Sequence, residues 1–319
     1  MNRPTLSGNM SGSGRAESLY RTLSLIRHFE RKIVDVYMTD VMQTPVHLSI
    51  GQESIATALC ANLTPGDFKI GTHRSHALFI ANGGSVKALF AELLGRSTGC
   101  SGGWGGSMHV IDQARGLVGT SSIVGGALPI AVGLGMAAVE PAIAAVLFGD
   151  GAADQGVFAE SLNFAALHSV PVVFLCANNR YSVYTPASQR RAAAPAGLAE
   201  CFGIRTLVVP IERSCDVFLL DELLAEPIAE VRRLRRPLMV ECHTVRALDH
   251  NGVRDDIAAG FRPAEERALF EAHDPLKVAR VKLPAEVVER IDAEVAAEVE
   301  SAYAEALEAP PAVVEVARE

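Results

Sequence analysis

Asp150 and Asn179 are the residues whose types and spacing could do the most chemistry in this sequence. An apolar run, Ala144–Phe148, ends in Gly149-Asp150-Gly151, and a second, Val172–Ala177, ends in Asn178-Asn179. Between them Phe158, Leu162, Ala165 and Ala166 recur at spacings of 4, 7 and 8, one face of a helix. The pattern predicts a β-α-β unit with parallel strands. Asp150 and Asn179 then leave the carboxyl ends of neighbouring strands, where open α/β sheets bind ligands. One carboxylate, one amide oxygen and nearby backbone carbonyls form a hard-oxygen set suited to Mg²⁺, which completes its octahedron with water and phosphate oxygens. The glycines and the amides that open the following helix suit a phosphate. The same residues also fit a plain GDG turn and an Asn-Asn loop in any α/β protein.

Basic side chains gather elsewhere. In Gly71-Thr72-His73-Arg74-Ser75-His76, two histidines and an arginine fall within four residues beside an apolar stretch. This reads either as a polar loop or as a diphosphate cradle, because a guanidinium binds phosphate bidentately and imidazoles donate hydrogen bonds. His47, ahead of the helix that carries Gln52 and Glu53, is either structural or substrate-facing, and His250 reads by itself as a solvated loop residue. Two glycine patterns are decoys. Gly99–Gly103 fits G-x-S-x-G, but no strand precedes it. Gly133–Ala138 resembles a dinucleotide loop, yet a helical pattern leads into it, so a nicotinamide oxidoreductase has little support.

The elements that must position these groups are legible in outline. Residues 1–14 are Gly/Ser-rich and read as disordered, and a helical pattern follows from Arg15 to Met38. Further strands are expected at Thr206–Val209 and Leu238–Cys242 with a helix over 216–235 between them, and an acidic, Ala-rich helix is expected over 284–308. With 319 residues, 49% of them hydrophobic, the chain can bury a large core. The net charge of −8 gives no sign of a nucleic-acid partner. No apolar run approaches the ~18 residues of a membrane span, and the N-terminus lacks the apolar core of a signal peptide. Six scattered cysteines without metal-ligand spacing read as reduced thiols. The expectation is a cytoplasmic α/β protein.

A resemblance sharpens this. GDG, then 26 residues (152–177), then NN looks like the fingerprint of thiamine-diphosphate-dependent enzymes. The stretch AELLGRSTGCSGGWGGSMH, residues 91–109, resembles the alpha subunit of the decarboxylating component of 2-oxo acid dehydrogenase complexes and of acetoin dehydrogenase. GFRPAEERALFEAHDPL, residues 260–276, resembles the same family. The resemblance implies a thiamine-diphosphate-binding fold, a mostly parallel sheet with helices on both faces, over a single domain spanning 15–319. It implies Mg²⁺ held by Asp150, Asn179 and the carbonyl of Tyr181, with Gly151 and Ala152 against the diphosphate. Arg74 falls on the family's diphosphate-binding arginine and His76 on its neighbouring histidine. His73 stands where the family usually has tyrosine, and Trp104, in a flexible Gly-rich loop 102–106, where it usually has lysine. Ser122 and Val124 would hold the aminopyrimidine, Val124 also bending the cofactor.

Aligned on Arg246, His250 falls on the last histidine of a mobile loop and would contact the diphosphate and help the acyl group leave. Leu248 and Asp249 depart from the loop's usual His-Gly, and Asn251 replaces a serine phosphorylated in some relatives. The implied enzyme is an oxidoreductase that decarboxylates a 2-oxo acid, or cleaves a diketone or acyloin such as acetoin, and passes the acyl group to a lipoyl group. His250, His76 and His47 are its candidate catalytic residues. Because the pyrimidine-binding glutamate lies on a separate domain, the expected partner is a beta subunit in a heterotetramer of two alpha and two beta chains, with a lipoyl acyltransferase beyond it. A carboligase of the same cofactor and a noncatalytic paralogue are the alternatives.

Overall fold

A strand covered by helices on both faces has no solvent side, so it reads as a continuous apolar run rather than an alternating one. Residues 144–148 and 172–177 are such runs, and the computed structural model, which describes residues 12–42 and 44–313, pairs them side by side. The strands are β1 (Phe68–Thr72), β2 (Leu117–Ser121), β3 (Ala144–Gly149), β4 (Val172–Asn178), a short antiparallel hairpin of β5 (Tyr181–Ser182) and β6 (Thr185–Pro186), β7 (Arg205–Val209) and β8 (Leu238–His243). Six of them form one sheet in the order β2-β1-β3-β4-β8-β7, every pair parallel.

The helices are α1 (Gly12–Val36), α2 (Glu53–Ala61), α3 (His76–Ala81), α4 (Val86–Leu93), α5 (Ala127–Ala137), α6 (Gly156–Leu167), α7 (Pro195–Cys201), α8 (Ile211–Ser214), α9 (Val217–Leu234), α10 (Glu265–Ala272), α11 (Pro275–Arg280) and α12 (Ala285–Glu308). Period-two alternation sorts the strand residues between two layers. Ala144, Val146, Phe148, Val172, Phe174 and Cys176 face the core that holds α5, α6 and α7. Ala145, Val173, Leu175 and Val240 face α2 and α9 on the other side. A third core joins α1, α3, α4 and α12 through Leu23, Phe29, Phe79, Phe90 and Val295. Each such buried side chain contributes roughly 1.5–3 kcal/mol relative to exposure.

Most of the expected elements are present, with shifted ends. Residues 1–11 of the stretch expected to be disordered lie outside the described residues, while 12–14 form the first turn of α1. The helix expected after Gly149-Asp150-Gly151 begins at Gly156, following a 3-10 turn over Asp150–Asp154. The decoy glycines behave as anticipated, Gly133–Ala137 within α5 and 99–103 in a turn with no strand before it. All six cysteines are free thiols, four of them buried. Among the described residues no helix is long and apolar enough to cross a membrane.

The order of the sheet decides where ligands go. From β1 the chain crosses to β2 on one side and then to β3 on the other, so the connections reverse between β1 and β3. Ligands of open α/β sheets bind outside the carboxyl ends of the strands at such a reversal.

Candidate functional site

Five strand ends supply one cavity of about 230 Å³. His73 and Arg74 leave β1, Ser122 leaves β2, Asp150 leaves β3, Asn179 leaves β4, and the segment after β8 brings His250. Gly149 lies opposite Ala177 in the β3–β4 register, which brings Asp150 and Asn179 out at the same end of the sheet, both lining the cavity. His47, Gln52, Val124, Gly151, Ala152 and Tyr181 also line the space. Eleven of the twelve predicted site residues therefore converge.

His76 does not. It is fully buried, with Nε2 2.8 Å from Ser107 Oγ, Nδ1 3.4 Å from Glu30 Oε1 and its ring edge-on to Phe29. This histidine, a candidate catalytic residue from the sequence, packs at the start of α3 and lies outside the lining of the cavity. Glu30 also accepts the Ser49 amide at 2.7 Å on both oxygens, and Glu53 accepts the Gly51 amide at 2.8 Å. Those bonds fix the segment that carries His47.

His47, His73 and His250 form an edge-to-face trio, with ring centroids 4.6, 5.2 and 5.4 Å apart. Burial and the neighbouring positive groups depress all three. His47 falls to about 2, through burial, His73, Arg74 and His250. His73 falls to about 4 through burial and Arg74, and His250 to about 3 through burial, Arg74 and His73. At neutral pH the trio is uncharged, each ring able to donate at one nitrogen and accept at the other. Arg74 carries the charge there. Its guanidinium donates only to carbonyls, of Leu48 and, at 3.3 Å, of His250, and has no ion pair among the described residues. Burial and the nearby Arg246 pull its pKa down to about 9, so it stays a cation at neutral pH. An unpaired guanidinium in a cavity is a waiting anion contact.

The acidic side of the cavity is arranged differently from expectation. Asp150 is buried, and Arg190 Nη2 and Arg191 Nη2 each reach its Oδ2 at 2.6 Å. Burial nonetheless pushes this carboxyl up, against the pull of both arginines. Asn179 Oδ1 accepts the Tyr181 amide at 3.1 Å. The oxygen set predicted for a cation is present, with two guanidinium groups on the carboxylate's Oδ2. The pair Arg190-Arg191 was visible in the sequence; nothing local tied it to Asp150, 40 residues away. Gln52 was likewise missed as a lining group, and its Nε2 is buried without a partner.

Two loops expected to move carry dense contacts. In the segment after β8, Asp256 takes Arg246 at 2.7 Å and Arg262 at 2.6 Å, all three side chains buried. Asp249 accepts from the Tyr184 hydroxyl at 2.8 Å, which gives the departure at this position a structural role. In the Gly-rich loop the Glu92 carboxylate accepts the amides of Ser101, Gly103, Gly105 and Gly106 at 2.6 to 3.1 Å. Gly103 has φ +83°, and a Cβ there would meet the Arg96 carbonyl oxygen at 2.5 Å. The glycines let backbone wrap a carboxylate, and Trp104 is exposed at the tip.

The sequence model of the dehydrogenase E1 component family matches residues 21–315. The chain belongs to that family. It is 35% identical over 305 residues to the alpha subunit of the acetoin:2,6-dichlorophenolindophenol oxidoreductase of Cupriavidus necator, covering 92% of this chain and 90% of that one. The corresponding Bacillus subtilis subunit is 35% identical over 236 residues, 73% and 70% of the two chains. The somatic, mitochondrial pyruvate dehydrogenase E1 component subunit alpha of Homo sapiens is 32% identical over 306 residues, 92% and 76%. As an E1 chain of the alpha type, it is a component of a thiamine-diphosphate-dependent oxidoreductase.

Proposed function

We propose that this cavity holds thiamine diphosphate with Mg²⁺, and that the chain, paired with a beta subunit, cleaves a 2-oxo acid, diketone or acyloin and hands the acyl group to a lipoyl group. The observation that carries the reading is the unpaired Arg74 facing Asp150 and Asn179 across the ends of β1, β3 and β4. The donor chemistry fits the cofactor. Arg74 suits the diphosphate, and buried His47 Nδ1 and Gln52 Nε2 lack partners. At Gly151 a Cβ would lie 2.8 Å from Ser182 Oγ, so glycine avoids a crowding there that a larger residue would relieve by moving Ser182. Asp150, Asn179 and the Tyr181 carbonyl supply hard oxygens for Mg²⁺, and both arginines sit on Asp150 Oδ2.

When bound, the cofactor supplies the carbanion chemistry that breaks a bond next to a carbonyl. The chain's own residues do the rest. Arg74 and the amides of Gly151 and Ala152 orient the diphosphate, Ser122 and Val124 support the pyrimidine, and His73 replaces a tyrosine contact. His47 and His250, neutral at pH 7, can hold or move a proton at a substrate oxygen. His76 positions the strand-end residues beside it.

Asp150 is the sole carboxylate lining the cavity among the described residues, so a second one for the pyrimidine must come from a partner. A surface fits that partner. Ile130 and Met136 on α5 and Phe164 and Leu167 on α6 are exposed, and an all-round apolar helix is stable only when covered. Cytoplasmic location and onward transfer through a lipoyl acyltransferase belong to the same proposal.

The test is calorimetric titration of thiamine diphosphate with Mg²⁺ into the chain co-expressed with its beta partner, beside Asp150→Ala. Binding to the first and none to the second is expected. No binding to the assembled pair would leave the fold without this chemistry.

A further inference from the structure

Lys69 is a charge in a layer otherwise built from apolar contacts. Ile70 packs into the core that holds α5 and α6, so period two turns Lys69 to the other face of β1, toward α1 and α2. The residue is only 5% exposed. Its ammonium donates to the Arg115 carbonyl at 2.7 Å and has no ion pair among the described residues. Two carboxylates act on it from nearby, but Asp67 is engaged by Arg232 and Asp112 by Arg115. A buried ammonium has three donors to satisfy, and one neutral acceptor leaves its charge uncompensated. Burial accordingly lowers its pKa, against the opposing pull of Asp67 and Asp112.

Lys69 lines a cavity of about 240 Å³ at the amino end of β1. This cavity shares no lining residue with the cofactor site. Arg21 of α1, Asn82 after α3 and Arg115 before β2 also line it, and Leu25, Cys60, Leu63 and Ile80 form its apolar wall. Both arginines are already balanced, Arg21 by Glu294 and Glu298 and Arg115 by Asp112. Asn82 Nδ2 is buried with no partner. What remains is one uncompensated positive charge, an amide donor and a hydrocarbon wall.

We propose that this cavity binds a small aliphatic monocarboxylic acid, with its carboxylate on Lys69 and its tail against Leu25, Leu63 and Ile80. One net positive charge matches a monoanion. A phosphate dianion would exceed that charge and would press oxygens without donors against the apolar wall. A neutral alcohol of the same length would fill the wall but leave the ammonium as it is. An acid held there bridges α1, α2 and α3 to β1, the strand whose other end leads to His73 and Arg74. The site stands apart from the cofactor reading, and its test needs neither thiamine diphosphate nor turnover.

The experiment is titration of butanoate into the full chain, read by saturation-transfer NMR. Saturable binding is expected, with butan-1-ol bound about tenfold or more weakly and inorganic phosphate unable to displace the acid. Lys69→Met, which keeps the length of the side chain and removes its charge, should weaken butanoate about tenfold or more, the loss of a charge-assisted hydrogen bond. Thr22→Trp, which fills the cavity from α1 with Lys69 intact, should abolish binding and decides the matter if Lys69→Met fails to fold. Arg74→Ala should bind butanoate as the parent does. No saturable binding to the parent would overturn the proposal, as would equal binding of butan-1-ol or displacement by phosphate. So would butanoate binding that survives either cavity change in a folded chain, or that disappears in Arg74→Ala.

Discussion

Arg74 shows how much one side chain can mean without a partner. Two carbonyl acceptors hold its fork but leave its charge uncompensated. A charged hydrogen bond to the diphosphate is worth about 1.5–3 kcal/mol, so Arg74→Ala should weaken cofactor binding roughly ten- to hundredfold. Calorimetry on the assembled pair measures this, and unchanged affinity would remove Arg74 from the site. Glu92 makes the opposite case, a buried carboxylate with four backbone donors. Glu92→Ala leaves those amides without their acceptor and should cost about 3 kcal/mol or more. The urea-unfolding midpoint reads the loss, and Glu92→Gln, which keeps one acceptor oxygen, should fall between the two.

At the scale of elements, the start of β1 is tied to α9 by a bidentate pair. Arg232 reaches Asp67 Oδ1 at 2.8 Å and Oδ2 at 2.7 Å, and the amides of Thr64 and Ile143 donate to the same carboxylate at 2.6 and 3.0 Å. Burial alone would raise this carboxyl, but those donors outweigh it and hold it below the ordinary range. A depressed carboxyl pKa gives stability that is complete above the unfolded value near pH 4 and is lost as pH falls through the folded value. Asp67→Asn should therefore flatten the fall in unfolding midpoint below pH 4, measured by urea titration from pH 5 to 2.5. A slope equal to the parent's would mean that other carboxylates govern acid unfolding.

At the scale of the whole molecule, α5 and α6 present Ile130, Met136, Phe164 and Leu167 to solvent. If a beta subunit covers them, Ile130→Glu with Leu167→Glu should leave the chain folded by circular dichroism but unable to assemble. Native mass spectrometry of the co-expressed pair would show alpha chains alone. Assembly as before would move the interface elsewhere.

By itself the sequence determined what is written in local runs of chain. Continuous apolar strands ending in Gly149-Asp150-Gly151 and Asn178-Asn179 dictate a parallel unit with its polar ends together, because strands buried on both faces carry no alternation to confuse the reading. The basic cluster at 73–76 and the Gly-rich stretch at 99–106 were equally plain as patterns. Their partners were not, because ion pairs and carboxylate cradles join residues far apart in the chain. Only the tertiary structure set Arg190 and Arg191 on Asp150 and Glu92 inside the glycine loop. It turned His76 toward Ser107 rather than the cavity. It also brought His47, His73 and His250 into one cavity, since three segments meet where the sheet reverses its connections and no spacing in the sequence records that meeting.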